Sequence, residues 1–149
     1  MIDIPPEVQI KSIIKPGSVF YFDEGSFKTK GEPHYFIVIN YTPLTDRVIL
    51  LVWASSKIQA VKRRTHNLPN TTVEIKKGEY PAFTKDSIVN CNEVVSKTLD
   101  ILIAKLEKKE LKLKIELDIA LLEKLRKAVL RSPLVEKNIK MLLTPERND

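Results

Sequence analysis

The stretch HYFIVINYTPLTDRVILLVWAS, residues 34–55, decides the fold. Its two arms, residues 34–41 and 47–53, are rich in β-branched and aromatic residues, which favour strands. The five residues between them include a proline and an aspartate, which suit turn positions. The stretch therefore predicts a β-hairpin.

Further short strands are predicted on both sides of this hairpin. Residues 18–22 follow a Pro-Gly turn, and residues 71–75 and 86–91 are short segments rich in β-branched residues. Residues 112–117 alternate strictly between polar and apolar, as a strand buried on one face does. Together with the hairpin, these segments predict five to seven strands.

Helical spacing is concentrated after residue 97. Residues 98–109 carry apolar side chains at helical spacing, with Ser96 or Thr98 as a cap. Asp118 is predicted to cap a longer, leucine-rich helix over residues 118–131. Two further helices are predicted. Residues 7–14 form at most two turns, and Ser132 and Pro133 begin a short last helix that ends near Leu143.

These elements predict a mainly β, α+β fold. Its antiparallel strands curl into a small barrel followed by C-terminal helices. The 149 residues, 43% hydrophobic and 30% charged, suit one compact domain and exclude repeat arrays and fully disordered chains. The net charge of +6 favours polyanionic or acidic partners.

Composition and chain pattern also restrict the chemistry and the compartment. The single cysteine, Cys91, excludes an intramolecular disulfide, and two histidines argue against a His-rich metal centre, so we expect no metal and no cofactor. No apolar run approaches the roughly 18 residues of a membrane span, and the N-terminal residues do not follow a signal-peptide pattern. We therefore expect a soluble, cytoplasmic protein without membrane partners.

The strongest local charge signal lies between Arg47 and Val73, where five residues are basic and none is acidic. The long connection over residues 55–70 includes the run Lys62-Arg63-Arg64, which can neutralise several phosphates. Lys28 and Lys30 in the preceding long loop add to this patch if both loops lie at one end of the barrel. The alternative is a solvated basic loop with no ligand.

Hydroxyl and imidazole groups lie close to this patch. Ser55 and Ser56 follow the second arm of the hairpin, where hydroxyls beside cations can hold a phosphate or a developing oxyanion; alternatively, they only end the strand. His34 and His66 titrate near neutrality and could transfer protons, although neither has a partner visible in the sequence.

The order of these segments resembles the MazF/PemK-like family of toxin ribonucleases. The resemblance is carried by residues 16–22, 31–40, 48–55, 71–75 and 85–94 and extends to the long helix. It covers residues 16–131, leaving a leader over 1–15 and a short helix with a polar tail over 132–149. It implies a Src-homology-3-like antiparallel barrel that forms a homodimer and cleaves single-stranded RNA without a metal. It also implies an antitoxin protein as partner, within a toxin-antitoxin system.

In that family, cleavage depends on an arginine just before the proline that opens the second strand and on a hydroxyl at the end of the third strand. Ser55 matches the hydroxyl, whereas Glu32 occupies the arginine position. Glu32 could act as a base but cannot stabilise negative charge on a phosphoryl group, so cations must supply that charge. The catalytic residues implied are Ser55, Glu32 and His34, and the RNA-binding residues implied are Lys28, Lys30, Ser56, Lys57, Lys62, Arg63 and Arg64.

Two other functions fit the same sequence. One is a barrel of this fold that no longer cleaves and instead binds RNA or protein, a hypothesis that Glu32 favours. The other is an interaction domain that uses the leucine-rich C-terminal helices, with the positive charge serving only solubility. Salt-dependent RNA binding separates the first two functions from the third.

Overall fold

A computed structural model describes residues 4–25, 27 and 32–144 of the chain. Its elements, in chain order, are α1 (Pro6–Ile13), β1 (Val19–Phe22), β2 (His34–Val38), β3 (Ile49–Ser55), α2 (Ile58–Arg64), β4 (Thr72–Ile75), β5 (Ser87–Asn90), β6 (Val95–Lys97), α3 (Leu99–Glu107), β7 (Leu111–Lys114), α4 (Ile119–Arg131) and α5 (Lys137–Leu142). None of the helices in these ranges is long and apolar enough to cross a bilayer.

The strands form one antiparallel sheet of seven strands in the order β4-β5-β3-β2-β1-β7, with β6 also paired to β3. The α+β class and the strand number predicted from the sequence are confirmed. Within the described ranges the sheet is not closed, because its pairing path ends at β4 and at β7. One edge of β3 serves two strands: Ala54 and Ser55 pair with β5, whereas Ile49 to Leu51 pair with β6.

A side chain links the two ends of this path. Tyr80, in the connection between β4 and β5, is almost completely buried and donates its hydroxyl to the carbonyl oxygen of Ile115, 2.5 Å away and just beyond β7. Burial, and to a smaller extent Tyr35, raises the pKa of Tyr80 to about 12. The hydroxyl therefore stays protonated, and able to donate, over the whole physiological range.

The core is divided between the two faces of the sheet, because successive strand residues point to opposite sides. On one face, Ile37 and Val52 pack with the leucines of α4. On the other face, Phe36 and Leu51 pack with α1 and α3, including Ile10 and Leu102. Because Leu121, Leu122 and Leu125 are buried in this way, the leucine-rich face of α4 is not free for a partner.

Several local predictions are confirmed. Residues of the predicted hairpin pair as β2 and β3, with Phe36 opposite Trp53. The side chain of Asp118 caps α4 by accepting from the amide of Ala120 at 3.0 Å, and Thr98 caps α3 in the same manner through Ile101. The helix predicted before the first strand is α1.

The predicted Pro-Gly turn before β1 is also present. Gly17 has a φ of +88°, and a Cβ on it would lie 3.2 Å from the carbonyl oxygen of Leu117. Glycine is required here both for the positive φ and for this close approach.

Three local predictions are wrong. The basic connection over residues 55–70 is not a loop throughout, since it contains α2, which is held by Val61 in the core. Ser132 does not begin the last helix: it is the C-cap of α4, its Oγ donates to Asn92, and α5 begins at Lys137. The alternating segment over residues 112–117 is a strand only as far as Lys114.

Candidate functional site

A groove of about 1090 Å³ lies where β2 and β3 reach the end of the sheet, next to α2. Its walls come from β1, β2, β3, α2, β5 and the connection between β4 and β5. The lining residues are Tyr21, Phe27, Glu32, Pro33, His34, Tyr35, Trp53, Ala54, Ser55, Ser56, Lys57, Ala60, Val61, Arg63, Arg64, Ala82, Phe83, Thr84, Lys85, Ser87, Ile88, Asn90 and Glu93.

Three residues predicted to take part in catalysis line this groove: Glu32, His34 and Ser55. The β2–β3 register pairs Phe36 with Trp53, and His34 and Ser55 each lie two residues beyond this pair, toward the strand ends that border the groove. Residues two apart on a strand share a face, so His34 and Ser55 lie on the side of the sheet that carries Phe36 and Trp53.

The local environment favours the neutral form of His34. Burial lowers its pKa, and the charge of Lys57 adds to this, while Glu32 and Asp23 act in the opposite direction. Its Nδ1 atom is buried and has no hydrogen-bond partner within the described residues. A neutral imidazole has one ring nitrogen without a proton, through which it can act as a base.

The hydroxyl of Ser55 is oriented by the backbone that follows β3. Its Oγ accepts a hydrogen bond of 3.1 Å from the amide of Lys57. Because this bond uses a lone pair of the oxygen, the hydroxyl proton remains able to donate to an anionic group in the groove. The exposed Lys57 and Ser56 also line the groove beside it.

The structure separates the basic residues of α2 into two groups. Arg63 and Arg64 are exposed, line the groove and form no ion pair with any carboxylate in the described ranges. Lys62 does not line the groove, and its Nζ lies 2.6 Å from the Glu74 carboxylate. The predicted basic cluster is therefore split, with its two arginines facing the groove.

The remaining predicted residues can be placed only in part. Lys28 and Lys30 lie outside the described residues. His66 does not line the groove, and its Nδ1 lies 3.0 Å from the carbonyl oxygen of Arg63. No group of three or more metal-ligating side chains was found among the residues that the structure describes.

The aromatic wall of the groove was not predicted from the sequence. On one face of the sheet the rings of Tyr21 and Tyr35 are 4.6 Å apart, and on the other face, which carries His34, the same distance separates Phe27 from Trp53. Phe83 packs edge-on against Tyr35 at 5.1 Å. The sequence contained one signal for these aromatic residues: Trp53 precedes Ser55 by two residues, which places both on one face of a strand. Aromatic rings beside cations are the pattern by which proteins bind unpaired bases and their phosphates.

Asn90 was also missed, and its amide is fixed in orientation. Its Oδ1 accepts from both the backbone amide and the Nδ2 of Asn92, at 3.1 and 2.8 Å. Asn90 lines the groove, so this amide adds a polar group to the groove wall at β5. Glu93 adds a second carboxylate near this wall.

Comparison with known proteins adds no assignment: no protein-family model and no curated protein sequence matches the chain.

Proposed function

We propose that this protein is a metal-independent endoribonuclease that binds single-stranded RNA in the groove, as a divergent MazF/PemK-like toxin with a Src-homology-3-like barrel. One observation supports the proposal above the others. Arg63 and Arg64, which form no ion pair among the residues that the structure describes, line the same groove as Glu32, His34 and Ser55. The aromatic wall supplies stacking surfaces for bases, and the arginines supply charge for the phosphates.

The chemistry proposed is an internal displacement at phosphorus. The 2′-oxygen of the RNA forms a bond to the adjacent phosphorus, the bond from phosphorus to the 5′-oxygen breaks, and a 2′,3′-cyclic phosphate and a 5′-hydroxyl result. Neutral His34 accepts the proton of the 2′-hydroxyl, and water protonates the departing 5′-oxygen. Ser55 donates to a phosphoryl oxygen, and Lys57 provides positive charge beside it.

A second candidate function is RNA binding without cleavage. It is favoured by Glu32, a carboxylate where the family resemblance implies an arginine. A negative side chain at this place in the groove opposes charge development on the phosphoryl oxygens. In this case the aromatic wall and the arginines still bind RNA, but the RNA is not cleaved.

The proposal includes a homodimer, an antitoxin partner and a cytoplasmic location, all of which the family resemblance implies. A two-fold dimer is the commonest assembly for a small protein of this type. Light scattering at micromolar concentration tests the dimer. A monomer mass contradicts it without affecting the RNA site.

The deciding experiment incubates the purified protein with a mixed single-stranded RNA, with and without a chelator, and maps the new ends. We expect cuts that leave cyclic or 3′-phosphates and 5′-hydroxyls and that persist in chelator. DNA of the same sequence lacks the 2′-hydroxyl and serves as the matched control that must stay intact. Binding without cuts supports the second candidate, and neither binding nor cuts overturns both.

A further inference from the structure

The aromatic wall of the groove continues across three neighbouring strands. Tyr21 of β1 pairs with Tyr35 of β2 on one side and with Lys112 of β7 on the other. Paired residues in an antiparallel sheet project from the same face, so these three side chains form one row. Because Tyr21 and Tyr35 both line the groove, the row leads from the groove to the edge strand β7, on the face of the sheet opposite to His34 and Ser55.

Two lysines at the end of this row carry charge that no carboxylate in the described part of the chain neutralises. Lys114 extends over Tyr21, with its Nζ 5.5 Å from the ring centre. Lys112 and Lys114 are exposed, and neither forms an ion pair with a carboxylate in the described ranges. Glu116, two residues beyond Lys114, is held by Lys15 at 2.7 Å. The surface at β7 is therefore cationic beside an aromatic ring.

We propose that this surface, formed by Tyr21, Tyr35, Lys112 and Lys114, is a second RNA-binding site that extends the groove. It takes nucleotides that pass from His34 and Ser55 around the end of β2 to the opposite face of the sheet, with phosphates on the two lysines and a base against Tyr21. Strands lie about 4.8 Å apart, so two strand spacings carry the RNA about 10 Å past β2. The inference rests on the proposed function, because it assigns a path to the RNA that the groove binds.

The alternating lysines of an edge strand also have a purely structural explanation, since charged side chains at an edge hinder pairing with another chain. The two explanations differ in what they predict for RNA length. A second RNA site adds affinity only when the RNA is long enough to reach β7. Protection of the edge is independent of RNA.

The test measures the affinity of fluorescent single-stranded RNAs of about 4 to 16 nucleotides, the range of site sizes of single-strand-binding domains. The Lys112→Ala, Lys114→Ala double variant is compared with Lys105→Ala. Lys105 is a matched control, because its Nζ lies 5.3 Å from the ring of Phe22, outside the residues that line the groove.

We expect the double variant to bind the longest RNAs more weakly and the shortest ones as the wild type does. Its logarithmic salt slope for long RNA should fall by about 0.7 for each phosphate that the protein no longer neutralises. Lys105→Ala should match the wild type at every length. Urea unfolding of each variant verifies that the fold is intact.

The failures of this test point to different errors. If wild-type protein binds RNA and the double variant keeps the same length dependence, the second site is wrong and the proposed function stands. If wild-type protein binds no RNA, both are wrong. If the double variant differs from the wild type in molecular mass in solution but not in RNA binding, β7 is an interface between copies of the chain. That result also overturns the second site.

Discussion

The side chain of Arg126 in α4 donates through Nε to the carbonyl oxygen of Ile39, at 2.7 Å, and through Nη2 to that of Asn40, at 3.0 Å. Arg126 is only 2% exposed, and its guanidinium lies against the ring of Tyr41 at 3.7 Å. These carbonyls follow β2, where the chain leaves the sheet. Arg126 therefore attaches the long helix to the hairpin through two hydrogen bonds to its backbone.

Replacing Arg126 with methionine should destabilise the fold. The substitution removes the partners of two carbonyls, and a buried polar group left unpaired costs roughly 1–3 kcal/mol. Urea unfolding should show a lower midpoint with an unchanged slope. Lys127→Ala, an exposed position on the same helix, is the control and should change stability by less than about 0.5 kcal/mol. Equal effects of the two substitutions contradict the role given to Arg126.

Stability should fall on mild acidification because of His34. Its pKa in the folded protein lies below the ordinary value of 6.5, so the unfolded chain binds the proton more readily. Protonation therefore favours unfolding as the pH decreases below about 6.5, and the effect is complete once the pH is below the folded pKa. Urea midpoints measured from pH 8 to pH 5 should decrease less in His34→Gln than in the wild type. The same decrease in both proteins indicates that another group is responsible.

The two arginines of α2 should contribute more to RNA binding than the neighbouring lysine. Arg63→Ala and Arg64→Ala each remove a cation that faces the groove, and each should lower the logarithmic salt slope for single-stranded RNA by about 0.7. Lys62→Ala removes a cation already paired with Glu74, so its slope should remain close to that of the wild type. Fluorescence titrations over a range of salt concentrations measure this. Equal slopes for all three variants mean that α2 is only a solvated basic surface.

If the protein cleaves RNA, Ser55→Ala should lower the rate by about tenfold to a thousandfold, as the loss of one oriented donor to an oxyanion does. Ser56→Ala is the neighbouring control and should have a smaller effect. Glu32→Arg distinguishes two roles of the carboxylate. If Glu32 acts as a base, the variant should lose all cleavage activity. If Glu32 has replaced a functional arginine, the variant should gain activity. A cleavage rate unchanged by Ser55→Ala removes the serine from the proposed mechanism.

The sequence predicted those elements whose signals are local. Asp118 and Thr98 cap helices because the cap acts within one turn of itself, and the hairpin was recognisable from two apolar runs and a turn. Ser132 and Pro133 offered an equally good local signal for a helix start. There, tertiary contacts prevail, because the Ser132 hydroxyl bonds Asn92 from a distant strand end.

Other features had no local signal. Only Val61 of α2 is buried, so its segment shows no apolar periodicity. Arg126 is a charged residue on a buried helix face, where a pattern based on apolar spacing does not identify it. The site was predictable at Ser55 and His34, which lie at strand ends. The aromatic wall depends on the register of β1 with β2, which the residues of either strand alone do not specify.

The pairing of β1 with β7 also determines when the surface proposed to bind RNA forms during synthesis of the chain. Val19 of β1 lies opposite Lys114 of β7, so β1 leaves the ribosome long before β7 does. Contacts between residues so distant in the chain form late and slow folding. A nascent chain that has exposed Arg63 and Arg64 still lacks both Lys112 and the helix that carries Arg126. The complete surface is thus assembled only after most of the chain has been translated, so a half-made chain on the ribosome does not yet present it.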